Sequence, residues 1–176
     1  MNFLEAFRGE LAHEAATTRK LLERVPMEAG AWKPHAKSMT LVQLASHIAE
    51  ILDWIPAAVQ LPEITFSMKD YKPTLHATTA ELLAAFDKGV QKGEEALKGA
   101  PEASLGESWR LKVDGKVVLE MPRAQVLRGM VLNHLIHHRG QLTVYLRLKD
   151  VPLTSVYGPT ADTPQFVKPR QTVMGT

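Results

Sequence analysis

Two histidines in the last third of the chain, His134 and His138, are four residues apart. In a helix this spacing places both side chains on one face, about 40° apart, and here that face is otherwise apolar. Their Cβ atoms would lie roughly 6 Å apart, so both rings can reach one metal ion at about 2.0–2.1 Å. Two core histidines satisfied by backbone or hydroxyl groups would show the same pattern. The spacing therefore indicates either a metal site or a hydrogen-bonded pair.

A third histidine, His47, lies at the flank of the apolar stripe of another predicted helix. Three inward-facing histidines on two helices are unfavourable without a shared partner, because a neutral ring needs hydrogen bonds and a charged ring needs a counter-charge. One divalent metal ion bound by His47, His134 and His138 would meet both needs. His137 lies at the edge of the stripe, so a pair of His134 with His137 is a less well centred alternative.

Neighbouring residues argue against two common kinds of metal site. Leu135 follows His134 at the position where a zinc protease has its catalytic glutamate. A di-iron bundle needs inward-facing glutamates, but Glu50 lies about 60° from His47 on the helix, outside the apolar stripe. The chain contains no cysteine, which excludes thiolate ligands and disulfides. The remaining expectation is a mononuclear site with nitrogen ligands.

Other polar residues follow the histidine pair on the same predicted helix. Gln141 and Tyr145 lie within about two turns of the pair, so they are candidates for hydrogen bonds to the metal ligands, although both could simply pack. Arg139, about 140° from His134, points away from the ligands and receives no role in this interpretation.

Four helices are predicted to position these side chains, because apolar residues recur at spacings of three and four. Capping-box patterns begin the second and third helices after Thr40 and Thr78. Pro56 predicts a kink or an early end in the second helix. Gly89 and Gly93 would allow a close approach on the third. The predicted helices span about 2–25, 40–59, 78–99 and 122–149.

Short extended segments connect and follow these helices. Residues 109–119 alternate in polarity around Asp114-Gly115, a dipeptide that favours a type I′ turn, and are predicted to form a β-hairpin. Residues 61–75 contain two prolines and are interpreted as a long crossover. Residues 150–176 are predicted to form an extended tail. We therefore expect residues 1–176 to form one all-α domain with a short hairpin.

Composition narrows the class of partner. The formal net charge is only +2, and no basic tract argues for nucleic acid or an anionic membrane. The first residues lack the apolar core of a signal peptide, and no apolar stretch is long enough to span a membrane. A cytoplasmic location is the expectation.

The last helix carries a second apolar and small-residue strip, on the side away from the histidines. It consists of Leu132, Ile136 and Thr143 with Gly129 and Gly140. Either the hairpin or the tail covers this strip, or it is a dimer contact.

Four motifs in this order resemble the DinB/YfiT-like family of four-helix-bundle metalloenzymes over nearly the whole chain. They are Trp32-Lys-Pro34, Leu44-Ala-Ser-His47-Ile-Ala-Glu50, Asn133-His134-Leu-Ile-His137-His138-Arg-Gly-Gln141, and Val151-Pro152 followed by Tyr157-Gly-Pro-Thr-Ala-Asp162.

The resemblance implies an up-down-down-up four-helix bundle with crossovers and frequent homodimers. It also implies a metal ion, zinc or nickel, on the matching His47, His134 and His138. Members with known activities are S-transferases and isomerases that use small thiols such as bacillithiol and mycothiol. The sequence therefore predicts a divalent-metal-dependent transferase or hydrolase acting with a small thiol or activated water, with a non-catalytic bundle holding a structural metal or a ligand-binding cleft as the alternative.

Overall fold

Helices dominate the computed structural model, which describes residues 2–70 and 72–163. A sheet of three short strands lies beside them. The helices are α1 (Phe3–Leu22), α2 (Leu41–Glu50), α3 (Trp54–Gln60), α4 (Thr79–Gly99), α5 (Arg123–Gln125) and α6 (His134–Leu148). The strands are β1 (Glu63–Phe66), β2 (Ser108–Val113) and β3 (Lys116–Pro122). In residues 2–70 and 72–163, no helix is long and apolar enough to cross a membrane.

The capping boxes at the starts of α2 and α4 are confirmed. Thr40 Oγ1 accepts from the N–H of Gln43, whose side chain accepts from the N–H of Thr40. Thr78 and Glu81 make the same reciprocal pair at α4. Each box satisfies two backbone N–H groups that a helix start leaves free.

The second predicted helix, 40–59, is interrupted. A 3₁₀ turn at Ile51–Asp53 separates α2 from α3. Pro56 lies in the first turn of α3, where a missing backbone N–H removes no helical hydrogen bond. The early end that Pro56 suggested is therefore present, and the proline is accommodated in a new helix rather than in a kink.

The last predicted helix, 122–149, is not one continuous α-helix. A π-helical segment, Val126–Asn133, lies between α5 and α6. Because a π-helix has more residues per turn than an α-helix, Leu127 and Leu132 face the same way, and both belong to the core with 0% exposure. Placing Leu132 on an outer strip was wrong for this reason.

The predicted hairpin is confirmed as the antiparallel pair β2–β3. Asp114 and Gly115 have φ values of 48° and 79°, as a type I′ turn requires. The predicted crossover 61–75 contains a strand that was missed, because β1 pairs in parallel with β2 in the register Glu63↔Arg110. Four residues are too few for periodicity to distinguish a strand from a loop.

Close helix packing surrounds the elements that carry the histidines. The core includes residues of α1, α2, α3, α4 and α6, and α6 packs on α1 and α2. A Cβ atom at Gly93 of α4 would lie 2.8 Å from Ile55 Cδ1 of α3, and one at Gly89 would lie 3.4 Å from Leu52 Cβ. The close approach predicted at both glycines is confirmed.

The tail turns back onto α6 after Asp150, whose φ of 58° ends the helix. Asp162 accepts from the backbone N–H of Leu153 at 2.8 Å and pairs with Arg147. Val156 and Tyr157 share a surface cavity with part of the outer strip of α6, so the tail covers that part. Residues 164–176 of the predicted tail lie outside the described residues.

Candidate metal centre

Three histidine rings from two helices point to one place. His47 is on α2, His134 begins α6, and His138 follows one turn later. His134 Nε2 lies 3.2 Å from His47 Nε2 and 2.8 Å from His138 Nε2. Each histidine offers one ring nitrogen, and these three nitrogens lie within 4.8 Å of one another. The three histidines are half-buried.

Hydrogen bonds to the outer ring nitrogens define two of the tautomers. His134 Nδ1 lies 3.2 Å from the carbonyl oxygen of Met130, and His138 Nδ1 lies 2.7 Å from Gln141 Oε1. Carbonyl oxygens only accept, so both Nδ1 atoms carry the proton and both Nε2 atoms have a free lone pair. The backbone N–H of His134 bonds to the carbonyl oxygen of Val131 in the π-helical segment.

This arrangement fits a bound cation. Two nitrogen lone pairs that face each other at 2.8 Å repel unless a proton or cation lies between them. Nitrogen ligands about 2.0–2.1 Å from one ion lie roughly 3 Å apart, close to the separations here. The donor set of three imidazoles also suits a divalent transition metal.

The electrostatics keep the rings neutral, the form that binds metals. Burial, followed by repulsion from His138 and His134, lowers the pKa of His47 to about 4. Burial is also the main cause that lowers the pKa of His134 and of His138. At pH 7 all three imidazoles are therefore available as neutral ligands.

The alternative pair of His134 with His137 receives no geometric support. His137 is exposed, and its ring packs edge-on against His138 with a centroid distance of 4.8 Å. It is not part of the group of converging nitrogens.

Of the two candidates for supporting hydrogen bonds, Gln141 contacts a ligand and Tyr145 shapes the neighbourhood. Gln141 Oε1 accepts from His138 Nδ1, which orients that ring. Tyr145 donates its hydroxyl to the carbonyl oxygen of Met39 at 3.1 Å, and its ring packs edge-on against Trp32. Tyr145 thereby fixes the chain segment that forms one wall of the adjacent cavity.

A small cavity of about 190 Å³ adjoins His47. It is lined by Met39, Gln43, His47, Glu50, Pro73 and Thr74. A larger concavity of about 600 Å³ lies between α3 and α4, but no histidine lines it. The connector that forms one wall is anchored where the N–H of His76 donates to Ser46 Oγ at 3.0 Å.

Glu50 lies outside the buried stripe of α2, as the helix phase predicted. It is nevertheless half-buried and lines the cavity with His47. The connector that carries Pro73 and Thr74 passes over this flank of α2, so a residue away from the core still faces a cavity. Helical phase describes only the core side of a helix and could not reveal this cover.

A buried ion pair was missed by sequence reasoning. Arg139 is 1% exposed and pairs with Glu14 of α1. Arg139 Nη2 donates to the hydroxyl of Tyr157 at 2.7 Å, and that hydroxyl donates to Glu14 Oε1 at 2.8 Å. Arg139 does point away from the histidines, as predicted. The available signal was Glu14, three residues after Leu11 and four before Thr18 in the buried stripe of α1.

Comparison with known proteins places these features in a wider group. The profile of the DinB family matches residues 2–171. No curated protein matches the chain. A DinB-like protein from Bacillus cereus shares the fold with a TM-score of 0.67 at 23% identity, covering 87% of this chain and 97% of its own. A DinB-like protein from Bacillus subtilis gives a TM-score of 0.62 at 18% identity, with coverages of 84% and 96%. A DinB family member from Exiguobacterium sibiricum gives a TM-score of 0.61 at 18% identity, and the match covers 88% of this chain and 97% of that chain.

Proposed function

Because the chain belongs to the DinB family, we propose that His47, His134 and His138 bind one divalent metal ion and that the site acts as a metal-dependent transferase or hydrolase. The observation that carries this proposal is the convergence of three Nε2 atoms from two helices. Zinc or nickel is the proposed ion, since both accept imidazole nitrogen.

The proposed chemistry is the activation of a small thiol or of water. A divalent ion on three neutral imidazoles keeps its double positive charge, which lowers the pKa of a thiol or water beside it. His138 is oriented by Gln141, and His134 by the Met130 carbonyl, so both lone pairs are directed before anything binds. Of the three histidines, His47 lines the adjacent cavity.

Access favours small reactants. The cavity beside His47 has a volume of about 190 Å³. A low-molecular-weight thiol, or the reactive end of one, fits such a space. This supports the proposal of a small thiol as substrate or co-substrate.

We also propose that the protein forms a homodimer through the outer face of α6. Val144 and Leu148 are one turn apart on this helix and are 56% and 55% exposed. Apolar side chains in adjacent turns of one helix are typical of a helix–helix contact between copies. Light scattering on the purified protein checks this: a monomeric mass at micromolar concentration contradicts it.

The alternative is a protein in which the metal only stabilises the fold or the cleft only binds a ligand. Turnover separates the two. Protein loaded with zinc or with nickel is assayed with bacillithiol, mycothiol and glutathione, each with an electrophile panel, and with ester substrates. We expect the wild-type protein to consume an electrophile or an ester, and we expect His134→Ala to lack this activity. Stabilisation by metal without turnover in any of these assays supports the structural alternative.

A further inference from the structure

Glu50 ends α2, one turn after His47, and lines the cavity beside that histidine. Its side chain is half-buried, yet its carboxylate makes no hydrogen bond or ion pair with another residue in the ranges 2–70 and 72–163. Glu94 on α4, by contrast, is paired with Arg8. The carboxylate oxygens are not among the buried polar atoms without a partner, so they are open to the cavity. A cation that enters the cavity can therefore pair with Glu50.

The remaining walls limit what that molecule can be. Met39 and Pro73 supply apolar surface, and Thr74 supplies a hydroxyl. Gln43 uses its carbonyl oxygen in the capping box at Thr40, which leaves its amide N–H groups as donors. The carboxylate is thus combined with short apolar walls. This combination suits a cationic group on a short aliphatic chain better than an anion or a large ring.

We propose that Glu50 binds the ammonium group of a small aliphatic amine whose other end reaches the three histidines. The substrate class is then a short aminothiol or a related amine with its metal-binding group a few bonds from the nitrogen. This inference rests on the proposed function, because the metal at His47, His134 and His138 holds the other end of the molecule.

Cobalt-loaded full-length protein tests the proposal through its visible spectrum, which changes when a thiol joins the metal. Cysteamine and 2-mercaptoethanol are the probes, since they have the same chain length and differ in an ammonium against a hydroxyl group. Their dissociation constants are measured for the wild type, Glu50→Gln and Glu50→Asp. Glu95→Gln is the matched control, because exposed Glu95 lies on α4, bonds to Gln91 and does not line this cavity.

The preference for cysteamine over 2-mercaptoethanol should fall about three- to five-fold in Glu50→Gln, the size expected for a partly screened ion pair. It should persist in part in Glu50→Asp and fully in Glu95→Gln. Using the ratio cancels the intrinsic difference between the two thiols and any change in metal affinity. An unchanged ratio in Glu50→Gln overturns the role of Glu50 and leaves the metal site standing.

Two further outcomes are also decisive. If cobalt binds but neither thiol alters its spectrum, the amine proposal is overturned, because the cavity would not present its ligand to the metal. If cobalt itself does not bind to the three histidines, the proposed function fails, and the inference fails with it.

Discussion

His138 depends on one neighbour for its orientation. Gln141 Oε1 accepts the Nδ1 proton at 2.7 Å, which keeps the lone pair on Nε2. Loss of such a supporting hydrogen bond typically weakens metal binding about 10–100-fold. We predict a loss in this range for Gln141→Ala, measured by competition with a chelator.

Gln141→Glu provides the control, because a carboxylate accepts the same proton. It should retain most of the wild-type affinity. Equal losses in Gln141→Ala and Gln141→Glu would contradict an orienting role for this hydrogen bond.

His47 predicts the pH response of protein stripped of metal by a chelator. Its folded-state pKa is lowered to about 4, whereas an unfolded histidine titrates near 6.5. Between these values the unfolded state binds more protons, so the stability contributed by neutral His47 is present above pH 6.5 and is lost as the pH falls toward 4. The urea midpoint should decrease over this range, and less so in His47→Gln.

Ring-proton chemical shifts give the independent check of the same prediction. His47 should titrate near pH 4 in the stripped protein. A midpoint near 6.5 for His47 would show that its ring is solvated rather than directed into the site.

Local sequence signals were sufficient to locate the four helical regions, the capping boxes and the hairpin, but not the interruptions within the second and fourth regions. Each depends on residues close along the chain, such as Thr40 with Gln43 or Asp114 with Gly115. The strand β1 depends instead on pairing with β2, far along the sequence. No pattern within four residues could reveal that partner.

The π-helical segment explains both a success and an error for the last helix. Phases calculated from His134 were valid within α6, so the placement of His134 with His138 on one face agrees with the geometry. They failed for Leu132, because this residue lies in the π-helical segment before α6. There each residue turns the helix by a smaller angle than in an α-helix. The widened turns reflect how the chain packs, which sequence periodicity alone does not report.

The surroundings of two sets of charged residues could not be predicted from the sequence, and the reasons differ. Glu50 lies outside the buried stripe, as predicted, but helical phase could not show that a connector covers this flank of α2. The pair Glu14–Arg139 was missed because burial of two opposite charges requires α1 and α6 to meet at these positions. The signal in α1 alone could not identify the partner.

The contact between α3 and α4 is tested by a larger side chain at Gly93. Gly93→Val would place its Cβ 2.8 Å from Ile55 Cδ1. Overpacking of this kind costs about 1–3 kcal/mol of unfolding free energy. Gly9→Val is the control within α1, since a Cβ there meets nothing within 4 Å.

Both substitutions carry the same helix-propensity change, so their difference reports packing. Gly93→Val should unfold at lower urea concentration than Gly9→Val. Equal midpoints would show that α3 can move away from α4 without loss.

Across the whole molecule, the buried pair of Arg139 with Glu14 connects α6 to α1, and Tyr157 connects both to the tail. Removing one member leaves an uncompensated buried charge, which costs about 3–5 kcal/mol. We predict a loss of this size for Arg139→Met in urea unfolding.

The double variant Glu14→Leu with Arg139→Met removes both charges and should recover most of that loss. Arg147→Met is the comparison on the same helix, because its pair with Asp162 is exposed and should contribute far less than the buried pair. If the double variant is as unstable as Arg139→Met, an unpaired Glu14 is not the cause.

The proposed site requires that one chain binds one metal ion through three imidazoles from two helices. X-ray absorption and elemental analysis of zinc-loaded protein measure both the stoichiometry and the ligands, with His134→Ala and His137→Ala analysed beside the wild type. We predict one zinc per chain with three imidazole ligands, retained in His137→Ala and lost from this site in His134→Ala. Less than one zinc per chain in the wild type, or equal retention of zinc in both variants, would contradict a metal site formed by these three histidines.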